Sequence, residues 1–160
     1  MALAQNYLTP TSFSIVIDRL PSVEFFTQKV NIPSLAAGSV EQITPLNNIY
    51  QPKQKIGFAD LDVTFIVDEQ MVNYQEIFAW IKLNAQPTEL GTYNNETDVS
   101  DISVIINNSH KNSNIRFNFI DCFPTDISPI SLDITNQDVI YPEVTATFRY
   151  TYFTIDNLND

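Results

Sequence analysis

The sequence predicts a mainly β, α+β fold, an antiparallel β-sandwich or barrel with one flanking helix. Three observations carry that expectation: apolar and polar residues alternate in several separate runs, only one stretch has helical spacing, and the 160 residues suit one domain, 1–160. At 44% hydrophobic and 17% charged residues, with 9 Pro and 3 Gly, the chain is too apolar for disorder and too poor in glycine for a flexible linker or a fibre.

The first strand follows from Phe13, Ile15 and Ile17 alternating with Ser12, Ser14 and Val16. A weaker extended segment runs from Val23 to Val30 towards Pro33, with Val40 to Ile43 continuing or pairing with it. Leu61, Val63, Phe65 and Val67 interleave with Asp62, Thr64 and Ile66, again a strand. Tyr74, Ile77, Phe78 and Ile81 then fall at i, i+3, i+4 and i+7, so one face of a helix is expected to pack on the sheet. Asn73 and Glu76 have capping-box spacing, and Pro87 blocks continuation. Ile102 to Phe123 reads as a hairpin around the polar run Asn107 to Asn114. In the last strand Val144, Ala146, Phe148, Tyr150 and Tyr152 share one face, and Thr145, Thr147, Arg149, Thr151 and Phe153 the other.

Two connections are long. Thr44 to Ala59 holds Lys53 and Lys55 and no acid, whereas Gln86 to Asp101 holds Glu89, Glu96, Asp98 and Asp101 and no cation. A basic and an acidic projection on one chain suit head-to-tail self-association. The wider balance of 8 cations to 19 acids, a charge of -11, argues against gripping nucleic-acid phosphates, which proteins do with their own cations. Met1 to Thr11 has no basic start or apolar run, and no stretch is apolar enough to span a bilayer, so the chain is expected to be soluble and made inside the cell.

Catalytic constellations are missing. The single Cys122 permits neither an intrachain disulfide nor a thiolate zinc site, and His110 sits in a polar turn without a second His or a Cys beside it. Asp60 with Asp62, and Asp98 with Asp101, are carboxylate pairs of a kind that 19 acids produce by chance, without calcium-loop spacing. Asn95-Glu96-Thr97 and Asn107-Asn108-Ser109 mark exposed loops. Tyr74, Phe78 and Trp80 at helical spacing read as core rather than as a binding box. The expectation is no enzyme, no catalytic residue, no cofactor and no metal.

The block Leu61 to Ile81, LDVTFIVDEQMVNYQEIFAWI, resembles the strand-then-helix unit of tail tube proteins from contractile-tailed bacteriophages. There a strand ends in an Asp-containing turn, and a helix opens with Asn-Tyr and closes with Trp. The resemblance extends through Thr27 to Leu35, Cys122-Phe123-Pro124, Ile130-Ser131-Leu132-Asp133 and the strand Val144 to Phe153, about three quarters of the chain in the family's order. It implies a structural virion protein, the repeating subunit of stacked, hexameric rings inside a contractile sheath, assembled in the host cytoplasm. Its implied partners are other copies of itself and sheath and baseplate proteins, with DNA passing through the lumen unbound and no membrane contact. A tube initiator, cap or terminator of the same fold is the alternative within the family; a glycan-binding β-sandwich is the alternative of another class. Three expectations about assembly follow. Tyr50, Lys53, Lys55 and Phe58 contact the next ring, the Thr-rich face of the last strand or of Leu61 to Val67 lines the channel, and the lumen is neutral to negative with Lys and Arg displaced outward.

Overall fold

The computed structural model describes residues 7–8, 10–85, 98–135 and 140–158, excluding the side chains of Lys53 and Gln54. Nine strands and two helices follow one another: β1 (Phe13–Ile17), α1 (Pro21–Phe26), β2 (Thr27–Asn31), β3 (Leu35–Ile43), β4 (Asn48–Phe58), β5 (Leu61–Ile66), α2 (Val72–Ala85), β6 (Ser100–Asn107), β7 (Ser113–Ile127), β8 (Glu143–Arg149) and β9 (Tyr152–Asn157).

The 15-residue β7 belongs to two sheets. Its first half pairs with β6 and β9, and β1 extends that sheet beyond β6; its second half, Phe123–Ile127, pairs with β8, followed by β5 and β2. All these pairings are antiparallel. The switch falls at Asp121, whose φ of 56° turns the strand; Asp tolerates that region better than most residues, and the Asp101 carboxylate accepts its N–H at 3.1 Å. Between the sheets, Ile15, Ile17, Ile102, Val104 and Phe119 meet Leu61, Val63, Phe65, Val144, Ala146 and Phe148 in one apolar core. Strict alternation on β5 and β8 places every second residue there.

Helix α2 closes the core against β7. Its buried stripe is Asn73, Ile77 and Trp80, with Tyr74 and Ile81 at the margins. Phe78, expected on the packed face, is instead 54% exposed, because the stripe at i, i+4 and i+7 from Asn73 is rotated away from it. No capping box forms either. Glu76 accepts a hydrogen bond from Ser22 of α1, while Asn73 donates to the Ile66 carbonyl at 2.8 Å and accepts from the Tyr74 N–H at 2.8 Å. The Asp68 carboxylate accepts the Asn73 N–H at 3.2 Å, so the turn between β5 and α2 is locked from both sides. Arg19 anchors the region around Trp80, lying 4.9 Å from the indole centroid while pairing with Asp98.

Further expectations change, among them that of Val40 to Ile43, which pairs with Asn48 to Gln51 rather than with the segment before Pro33. Val23 to Phe26 is helical, not extended, because Pro21 starts a short helix that buries Val23. The long stretch Thr44 to Ala59 is no loop: after a turn at Thr44–Asn47 it forms β4, paired with β3 along its length. The last strand breaks at Tyr150-Thr151, which shifts the alternation so that Phe153 rather than Tyr152 packs on the core.

Candidate assembly surfaces

Among the described residues the β3–β4 hairpin is a two-stranded sheet of its own, paired with neither larger sheet. All nine residues of β3 are exposed. Its root is fixed: the Phe58 ring packs on Tyr150 and Phe153 at centroid distances of 5.9 and 5.7 Å, and the Tyr150 hydroxyl donates to the Ala59 carbonyl at 2.8 Å. Phe58 is therefore engaged within its own subunit. Tyr50 and Lys55 are exposed further out, the Tyr50 hydroxyl reaching Glu41 at 3.4 Å, while Lys53 lies on β4 with its side chain outside the described residues. At the far end Ile43 is 81% and Leu46 93% exposed. An isolated ribbon of two strands is marginally stable in water, and the apolar residues at this tip are left without cover by the rest of the described residues.

The second surface is the outer face of the sheet β2-β5-β8-β7. Asn31, Asp62, Thr147 and Asp126 stand in one row across it, Lys29, Thr64 and Thr145 in the next, as the register dictates. Hydroxyls bind these rows together: Thr64 and Thr145 are 2.9 Å apart, Thr147 donates to Asp62 at 2.9 Å, and Thr125 to the Thr147 carbonyl at 3.2 Å. Arg149 pairs with Asp60 at 2.9 Å at the hairpin end. The face is polar and of low charge. Its two edges, β2 and Phe123–Ile127, have no further strand partner among the described residues.

The residues considered for chemistry are spread apart. His110 is exposed in the β6–β7 turn, where its Nδ1 lies 3.3 Å from the Ser109 hydroxyl. Cys122 is fully buried, and burial pushes its thiol from 9.0 up to about 12. Asp60 and Asp62 are taken by Arg149 and Thr147, and Asp98 by Arg19. The Asp101 carboxylate holds the Asp121 N–H. No group of metal-binding side chains occurs among the described residues, and no helix there is long and apolar enough to cross a membrane. The acidic stretch lies outside the described residues from Gln86 to Thr97, including Asn95-Glu96-Thr97. A thiol kept protonated should react with a thiol reagent only after unfolding. Because the unfolded thiol ionises first, its contribution to stability is complete below pH 9 and lost as pH rises towards 12. Labelling rates in native buffer and in denaturant, with unfolding followed across that window, check both statements.

A β-sandwich sharing one long strand between its sheets, a helix closing the core and a projecting hairpin make a β-rich α+β fold. The sequence matches the family described as phage tail tube protein over residues 6–156, and the chain belongs to that family. Among solved structures it is similar to a chain of the sheath–tube complex of the extracellular contractile injection system PVC in its extended state, with a TM-score of 0.68, 16% identity, and coverage of 96% of this chain and 94% of that one. A chain of the anti-feeding prophage tube-terminating cap also gives 0.68, at 16% identity over 98% and 95%. A type six secretion system protein gives 0.53, at 13% identity over 89% and 81%. No curated protein matches the sequence.

Proposed function

We propose that the chain is the repeating subunit of the inner tube of a contractile phage tail, a non-enzymatic virion protein assembled in the host cytoplasm with sheath and baseplate proteins around it. The observation that carries this reading is the four-stranded sheet with a polar outer face and two open edges. Joining the β2 edge of one copy to Phe123–Ile127 of the next leaves neither of these two edges exposed once the ring closes, here as a hexamer. The rows through Asp62 and Thr64 then face a lumen through which DNA passes. Threonines and asparagine beside Asp60, Asp62 and Asp126, with Lys29 and Arg149 the cations of this face, give a neutral to slightly negative wall. Such a wall does not hold a polyanion by counterion release. Lys29 and Arg149 on this face depart from the expectation that Lys and Arg are displaced outward.

The hairpin, in this reading, reaches the next ring through Tyr50, Lys53 and Lys55. Replacing both lysines with Glu is expected to give rings that do not elongate; each exposed ion pair contributes only about 0–1 kcal/mol, so the effect arises from repetition around the ring. Electron microscopy of the double variant reads it directly, and tubes of normal length would refute the contact. The cap and terminator chains with the same fold, at TM-scores of 0.68 and 0.65, support a second reading in which this chain ends or begins the tube. Unlimited tubes from the purified chain favour the first reading; single rings favour the second.

A further inference from the structure

Lys29 and Asp126 stand on opposite edges of the β2-β5-β8-β7 sheet, both exposed and both on its polar outer face, Lys29 opposite Thr64 and Asp126 opposite Thr147. Neither has an ionic partner among the described residues, where the ion pairs are Arg19 with Asp98 and Arg149 with Asp60. We propose that each is the other's partner across the seam between two copies, so that Lys29 of one subunit pairs with Asp126 of the next and fixes the register in which the ring closes. The inference deepens the tube reading and rests on it.

Strand direction permits the contact. Strand β2 is antiparallel to β5, β5 to β8, and β8 to Phe123–Ile127, so the two edge strands of one copy run in opposite senses. Rotation about a ring axis keeps the sense of every strand, and β2 of one copy therefore meets Phe123–Ile127 of the next as an antiparallel pair. Direction alone leaves the register open. A slip of one residue exchanges the two faces of the sheet, whereas a slip of two keeps the faces and changes which side chains are neighbours. Charge selects among the slips of two: Lys29 is the single ionisable residue of β2, and Asp126 that of Phe123–Ile127. As opposite or diagonal neighbours on adjacent strands, an ammonium and a carboxylate attract, and every other setting leaves both without a partner at each seam.

The same register carries a second contact. With Lys29 at Asp126, the antiparallel pairing brings Thr27 towards Ser128, whose N–H donates to the Thr145 carbonyl at 2.9 Å, so this edge stays attached to β8 beyond Ile127. Phe25, 81% exposed, then comes level with Ile130 and Leu132 of the next copy. Those two residues wall an apolar groove of about 710 Å³, completed by Phe26, Ile66, Met71 and Tyr141 of their own copy. Leu132 is as uncovered in the single copy as Phe25. A slip of two residues moves Phe25 by about 7 Å along this wall.

The test is charge reversal in full-length chains. Lys29→Asp puts two carboxylates at every seam and Asp126→Lys two ammonium groups, so each variant alone is expected to form at least tenfold fewer rings than the unmodified chain at equal concentration. Mixed one to one, the two variants can alternate around a ring with opposite charges at every seam. Rings should then return, with the two variants in equal numbers by native mass spectrometry when one carries a mass tag. Combining both changes in one chain should restore rings without mixing. Both positions are exposed, so thermal unfolding should stay within a few degrees of the unmodified chain, which separates loss of the seam from loss of the fold. Normal rings from either single variant, or a mixture that assembles no better than its components, overturn the pairing and leave the tube reading standing. Phe25→Ala should lower ring formation at least threefold, and an unchanged level overturns the second contact. An unmodified chain that never forms rings overturns the pairing and the tube reading together.

Discussion

Replacing Ala36–Gly57 with a two-residue glycine-containing turn will leave a folded subunit that no longer forms tubes. The excised segment pairs only with itself, and Leu35 and Phe58, which are directly opposite in the register, remain to close the turn. Phe58 keeps its packing on Tyr150 and Phe153. Removing exposed residues from both strands costs the core nothing, so the melting temperature should move by only a few degrees. Assembly, by contrast, loses an apolar tip and two lysines in every copy. Circular dichroism with sedimentation velocity checks the two halves together; unchanged tube formation would mean the hairpin does not connect subunits.

Trp80→Ala should have the largest effect on the fold itself. The indole is 1% exposed, lies 6.1 Å from the Phe148 ring, and donates its N–H to the Asp98 carbonyl at 2.8 Å. Truncation removes core volume, leaves that carbonyl with only Asn84 at 3.1 Å, and takes away the surface on which Arg19 lies. Large-to-small changes of this kind cost about 3–5 kcal/mol. In a domain of this size that is a fall of roughly 10 °C or more in melting temperature. Phe78→Ala, on the exposed side of the same helix, should change stability by less than about 1 kcal/mol, and thermal unfolding of the two variants side by side tests the placement of the buried stripe.

What was legible in the sequence was whatever buries one face. On β5 and β8 a period of two separates core from surface residue by residue, so Leu61, Val63, Phe65, Val144, Ala146 and Phe148 announce themselves. The β6–β7 hairpin is marked in the same way, with a turn rich in Asn and Ser. The β3–β4 hairpin hides because exposure of both faces erases the alternation, and its pairing is visible only once the strands meet. Helix α1 is too short to show a helical period. Phe78 misled because apolar spacing alone cannot reveal that a polar residue, Asn73, takes the inward position when backbone groups satisfy it. For the assembly surfaces, Lys53 and Lys55 stood out by charge contrast. The groove combines residues from four separate stretches and had no local signal.

The most direct test of the account is a cryo-electron-microscopy reconstruction of the purified, assembled chain. The account predicts stacked rings in which β2 of each copy continues into Phe123–Ile127 of its neighbour, with Asp62, Thr64, Thr145 and Thr147 on a neutral to negative lumen wall. A chain that stays monomeric at every concentration, or a tube whose lumen is lined by other strands and carries positive potential, would contradict it.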